Sequence, residues 1–275
     1  MNQDQEVTVM KKQRKKKYGK WHYRIQFFGN TVCAALQRKC KYSDPNLLFE
    51  ETFEGTELDS RKWIRSREQW RQGKLNRWDH RLSYLDGEGH LVLAAEWDEA
   101  EGIVRSGAVE TRGKFMAGYG YYEASIAFPT APGTWGAFWM MCGNVFENGK
   151  GVEIDIVESI FNEQDTSNSA MHWDGYREHH KMLNSGAIQH RGIYDGQFHT
   201  FALDRTPEGY TFYIDGKETW HVTPDQFHTR PTKGFLLLSV EAADWAGAGK
   251  PESIKALPAK MLVDYVRIYK SNPHK

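Results

Sequence analysis

The chain has 275 residues, of which 40% are hydrophobic and 13% aromatic, and its 36 basic and 36 acidic side chains leave no formal net charge. That is enough material for one large domain, since an all-β sandwich of about 200–250 residues is an ordinary single unit. No apolar run approaches the ~20 residues of a membrane-spanning helix. The three cysteines, Cys33, Cys40 and Cys142, make neither a disulfide framework nor a zinc motif.

The neutral total hides an asymmetry. Residues 1–43 carry 11 basic and 2 acidic side chains, which leaves 25 basic and 34 acidic in residues 44–275. An acidic body argues against nucleic acid as a partner of the folded domain. The basic stretch 1–43 reads as a solvated, poorly ordered extension, or as the product of a start codon placed too early; touching nucleic acid or an anionic surface is the other use of such charge. Its positive cluster at 11–20 and the mildly apolar Ile25 to Leu36 are only a faint likeness of a secretion signal. Gly29, Asn30 and Thr31 interrupt the apolar part, so the compartment stays open.

From Leu47 onward, short β-rich runs alternate with Gly, Pro, Asp and Asn turns. Leu91-Val-Leu-Ala-Ala follows the turn Asp86-Gly-Glu-Gly. Tyr119 to Phe128 is strand-like and ends at Pro129 and Pro132. Phe201-Ala-Leu-Asp and Tyr210-Thr-Phe-Tyr-Ile flank Thr206-Pro-Glu-Gly as a hairpin, and Asp215-Gly216 marks a tight turn. Phe235 to Val240 and Met261 to Tyr269 close the chain as strands. Helical periodicity is scarce, with Pro224 to His228 a modest candidate, and there is no internal repeat. Many short strands with frequent turns predict a β-sandwich or barrel, with residues 44–275 as one domain.

One run stands apart. Gly151-Val-Glu-Ile-Asp-Ile-Val-Glu-Ser159 sets Glu153, Asp155 and Glu158 among Val and Ile, which favour a largely buried strand. Charge there is costly unless it is paired or used. Glu153 and Asp155 share a face by the two-residue period, whereas Glu158, five positions on, has the wrong parity. A β-bulge restores it. Two carboxyls held close together are what hydrolysis of a glycosidic bond needs: ~5–5.5 Å apart for retention, ~6.5–9.5 Å for inversion. Four strand steps separate Cα atoms by roughly 13 Å, and side chains leaning inward on a curved, bulged strand can close that gap.

This run resembles the active-site signature of glycoside hydrolase family 16 in its bulged form, Glu-x-Asp-x-x-Glu. Further motifs follow the family in order: Phe49-Glu-Glu-Thr-Phe, Leu58-Asp59, Lys62-Trp63, Ser106 to Phe115, Gly118-Tyr-Gly-Tyr-Tyr-Glu, Gly133-Thr-Trp-Gly-Ala-Phe-Trp139, Phe198-His199, Tyr213-Ile-Asp-Gly216 and Val263 to Tyr269. The likeness covers Leu47 to Tyr269. It implies a concanavalin A-like jelly-roll sandwich of two curved antiparallel sheets with a cleft on the concave face. It also implies Glu153 as nucleophile, Glu158 as general acid/base and Asp155 as the group positioning Glu153. Trp135 and Trp139 are expected to stack on sugar, with His172, Trp173, Arg112, Glu241 and Trp245 as further substrate contacts. A structural Ca²⁺ is common among relatives, with Glu51 and Asp264 the candidates here. Catalysis itself needs no cofactor. The expected partner is a polysaccharide, and the expected state a monomer. His172, His179, His180 and His199 match no usual zinc spacing.

Within the family it resembles, the leading expectation is an endo-acting β-1,3- or β-1,3-1,4-glucanase, and the bulged spacing favours this and galactan-cutting relatives alike over lichenase-type or xyloglucan-active ones. The run Leu238-Ser-Val-Glu-Ala-Ala-Asp-Trp245 and the segment Met171-His-Trp-Asp-Gly-Tyr176 depart from glucanase patterns, so an endo-β-galactosidase or agarase-like activity is the alternative. A noncatalytic lectin-type sandwich is the rival of another class, and it would dispense with one of the two glutamates.

Overall fold

In the computed structural model of the full chain, the described residues are 44–71, 74–147, 149–161, 165–227 and 232–275. The basic extension therefore lies outside the described residues. From Asn46 to Lys275 the chain forms one compact unit, built almost wholly of strands in two sheets. The sequence-predicted strands are all present. Leu91–Asp98, Gly120–Ala127 and Ala259–Tyr269 lie side by side, and His199–Thr206 pairs with Gly209–Ile214 as the expected hairpin. Pro224–Gln226 is a single 3-10 turn. The helix Pro251–Lys255, unannounced by any periodicity, has five residues.

The sheet that matters for chemistry runs in the order Lys181–Asn184, Thr166–Trp173, Gly151–Ile160, Thr134–Gly143, Gly234–Ala242, Ala108–Glu110, Ile64–Arg65. Its strands alternate sharply. Phe138, Met140, Ile154 and Leu238 face the other sheet and are fully buried between Leu91, Leu93, Tyr122, Ile126 and Phe201. Their neighbours Ala137, Trp139 and Leu237 point the opposite way and pack with Trp78, Phe235 and Met141 into a second, smaller apolar cluster. The central strands thus carry apolar side chains on both faces, which is why they read as near-continuous apolar runs in the sequence.

The predicted bulge is present in the acidic strand. Against Thr134–Gly143, Trp139 pairs with Asp155 and Phe138 with Val157, so Ile156 is the extra residue. Against Thr166–Trp173, Asp155 faces Ala170 and Glu158 faces Asn168, so two residues on one strand oppose one on the other. Ile156 and Val157 both sink into the inter-sheet core. That double inward step returns Glu158 to the face carrying Glu153 and Asp155.

Behind this sheet, the hairpin turn at Asp215 is tied to a neighbouring loop. Asp215 Oδ2 lies 2.7 Å from His199 Nδ1 and 2.9 Å from His190 Nε2, and Oδ1 accepts the Thr200 N–H. Burial alone would lower the His199 pKa, but Asp215 outweighs it, aided by the Gly192 carbonyl 3.1 Å from Nε2, and the pKa rises. Burial raises Asp215, and its hydrogen bonds from His199 and Thr200 win in the other direction. A raised His pKa adds stability that is complete below the unfolded value of ~6.5 and is lost as pH climbs through the folded value. The lowered Asp pKa adds stability that is lost as pH falls below ~4. His199→Gln is expected to lower the melting temperature by at least about 2 °C more at pH 5.5 than at pH 8.5; equal losses at both would dismiss the linkage.

Candidate active site

A cleft of about 1370 Å³ lies over the outer face of the sheet just described, with Glu153, Asp155 and Glu158 among the residues lining it. The acidic strand supplies all three from one stretch of backbone. Burial raises the pKa of each, and the nearby carboxyls push the same way. Glu158 is carried up to about 7, by burial first and by Glu153 and Glu241, although Asn168 Nδ2 donates to its Oε2 at 2.9 Å. Glu153 is also raised by burial, with the Tyr176 hydroxyl hydrogen bond and the charge of Arg71 pulling against it. Asp155, fully buried, is raised well above the usual carboxylate range by burial and then by Glu158 and Glu153. Environments that give neighbouring carboxyls different proton affinities let one serve as acid and another as base.

The walls are aromatic and cationic. Trp139 is 7% exposed and lies in the cleft floor, its indole N–H donating to Ser239 Oγ at 3.1 Å. Trp135, beside it in the strand, meets Trp245 edge to face with centroids 5.3 Å apart, and Trp245 stands 61% exposed on the rim. Glu241, predicted as a sugar contact, is buried beneath Arg71, whose Nε lies 2.9 Å from its Oε1 while the guanidinium stacks over Trp78 at 4.3 Å. Its second oxygen, Oε2, is buried without a hydrogen-bond partner, a free acceptor beside the cleft. Arg112 covers Phe235 at 4.5 Å and pairs with Glu110 at 3.1 Å.

His172 also lines the cleft, with Nε2 3.4 Å from Asp155 Oδ2. Trp173 corrects the sequence reading. It follows His172 directly, so the two-residue period turns it inward; it is 8% exposed, belongs to the inter-sheet core and meets Phe227 edge to face at 5.0 Å. It is not a sugar contact.

Glu51 and Asp264 do not make a cation cage. The Glu51 carboxylate accepts the N–H groups of Thr52 and Phe53 and lies 3.2 Å from Lys62 Nζ, where an ammonium already neutralises it. Among the described residues, no cluster of three or more ligand-type side chains includes either residue. By their side chains, Glu51 and Asp264 are a poor fit for a calcium ion.

Four further residues complete the site, and sequence reasoning did not single them out. Tyr176 reaches Glu153 because Asp174 and Gly175 both take positive φ, 62° and 82°, and fold the segment back over the cleft; the Asp-Gly pair was the available signal. Asn168 meets Glu158 only through the bulged register. Arg71 and Trp78 arrive from a distant strand pair with no local pattern to mark them.

A buried carboxyl with its pKa near 7, a second carboxyl on the same face and an aromatic-lined cleft define the equipment of a glycoside hydrolase. The family model for glycosyl hydrolases family 16 matches residues 71–267, and the chain belongs to that family. It is 27% identical over 200 residues to a beta-glucanase of Rhodothermus marinus, covering 67% of this chain and 69% of that protein. It is 23% identical over 263 residues to glucan endo-1,3-beta-glucosidase A1 of Niallia circulans, and there it spans 82% of itself and only 38% of the relative. Among solved structures, the endo-beta-1,3-glucanase of Pyrococcus furiosus superposes with a TM-score of 0.69 at 27% identity, covering 82% of this chain and 94% of that one. The sandwich of two largely antiparallel sheets is that family's jelly roll.

Proposed function

We propose that the chain is an endo-acting, retaining hydrolase of β-1,3- or β-1,3-1,4-glucan. The observation that carries the reading is the bulged strand, which sets Glu153 and Glu158 on one cleft face with Asp155 between them. Glu153 attacks the anomeric carbon while Glu158 protonates the departing oxygen. Water, deprotonated by Glu158, then attacks the same anomeric carbon and displaces the Glu153 carboxylate, which frees the sugar and returns the proton to Glu158. A cleft open along the sheet suits an internal segment of a polymer, and the names of the relatives favour glucan.

The test is release of reducing ends from laminarin, lichenan, agarose and β-galactan, together with the anomer first formed by NMR. Cleavage of either glucan with the β-anomer appearing first is expected. Cleavage confined to the galactans would move the substrate to the alternative class, and binding without turnover would make the chain a lectin-like module. On whichever polymer is cut, Trp245→Ala is expected to raise KM about 3- to 10-fold with little change in kcat, as loss of one exposed stacking platform should.

A further inference from the structure

His172 has two ring nitrogens and two partners. Nε2 faces Asp155 Oδ2 at 3.4 Å, and Nδ1 faces His180 Nε2 at 2.9 Å. The two imidazoles stack with centroids 5.1 Å apart and planes inclined by 12°. Asp155 Oδ2 is a buried oxygen with no hydrogen bond. The contact to His172 is near in distance and short of alignment, as hydrogen bonds in unliganded sites often are.

A neutral imidazole has one N–H and one bare nitrogen, and what binds one nitrogen fixes the role of the other. His172 is neutral across the working range, its pKa lowered to about 4 by burial and then by the charge of His180. The groups facing it are Glu153 and Asp155 from the acidic strand, and His180 from the loop that also brings Tyr176 over Glu153. If the proton sat on Nδ1, the bare Nε2 could only accept from the unpaired oxygen of Asp155, which would hold the Asp155 proton there and away from Glu153. If His180 Nε2 donates to Nδ1, the His172 proton sits on Nε2 and points at that oxygen.

We infer that His180 is a positioning residue, which fixes the His172 tautomer so that the Nε2–H meets the free oxygen of Asp155 and holds that carboxyl in place against Glu153. The chain of donors runs His180 to His172 to Asp155, and it leaves the other Asp155 oxygen for the nucleophile. The inference rests on Glu153 being that nucleophile.

Two substitutions separate the possibilities. His180→Phe keeps a stacked ring and removes the donor; His180→Gln keeps an N–H near the position of Nε2. His180→Phe is expected to lower kcat about 10- to 100-fold, the worth of one hydrogen bond in a buried charged network, with KM changed less than about twofold. His180→Gln should recover most of that loss. In ¹⁵N spectra His172 should be the Nε2–H tautomer in the wild type and shift toward Nδ1–H in His180→Phe, with both variants melting like the wild type. An Nδ1–H tautomer in the wild type, or a His180→Phe enzyme with unchanged kcat, overturns the inference. An inactive Glu153→Gln beside a fully active His180→Phe would sink the relay alone, whereas an active Glu153→Gln would sink the mechanism beneath it.

Discussion

Glu153→Gln should lower turnover by about 10⁴-fold or more on any polymer the wild type cuts, because in the proposed mechanism it removes the nucleophile and leaves the rest of the cleft in place. The amide is nearly isosteric and can still lie beside the Tyr176 hydroxyl that binds Glu153 in the native site, so the melting temperature and substrate binding should change little. The size of the loss matters more than its sign. A tenfold effect would describe a group that steadies charge; only a loss of several orders describes a bond-forming atom. Chemical rescue gives the role directly. Azide added to Glu153→Ala should return a glycosyl azide of inverted configuration, whereas azide added to Glu158→Ala should return one of retained configuration. The opposite pairing would exchange the two roles, and no azide adduct from either variant would argue against a covalent intermediate.

Glu158 carries the second large effect. With its pKa near 7 it is mostly protonated below that pH, the form needed to protonate the leaving oxygen. The rate should therefore fall as pH rises through about 7, roughly tenfold per pH unit beyond it, since the fraction in the acid form falls by that factor. Burial is the principal cause, so the limb should respond to what buries and what charges the cleft. Removing Glu241 takes away one like charge that raises Glu158, so Glu241→Gln should shift the alkaline limb toward lower pH; it leaves Arg71 without its carboxylate, which pushes the same way. Glu158→Gln should remove the alkaline limb altogether and cost about 10²- to 10⁴-fold on substrates with poor leaving groups, with a smaller loss on activated aryl glycosides that need no protonation. An alkaline limb that survives in Glu158→Gln would assign the titration to another group.

Both expectations depend on the bulge, and the bulge shows how far sequence reaches. The odd spacing from Glu153 to Glu158 is legible without coordinates because a strand has a period of two, and five steps violate it. One inserted residue is the smallest repair. The structure places it at Ile156, where two successive apolar side chains can enter the core without leaving a charge behind. The family resemblance set both His172 and Trp173 among the sugar contacts, and the same two-residue period separates them. His172 and Trp173 are adjacent, and only one can face the cleft.

Other parts of the site were invisible to any local pattern. Arg71 and Trp78 lie more than seventy residues before Glu153, yet Arg71 ends against Glu241 and over Trp78. No spacing rule connects these residues; their meeting follows from the order in which the strands lie in the sheets. Trp139 shows the limit in another way. An aromatic in an apolar strand is legible as buried, but this sheet is apolar on both faces, so burial alone does not say which face it joins.

The sequence by itself determined the strand-rich architecture and the need for a bulge, because both follow from short-range period; the family is carried by an ordered set of motifs along the chain. Only the tertiary structure decided how deeply each carboxyl is buried and what surrounds it, that Tyr176 and Asn168 hold the two glutamates, that Trp173 belongs to the core, and that His180 backs His172. Proton affinity depends on what surrounds a group from every direction, and most of those neighbours come from strands far apart in the chain.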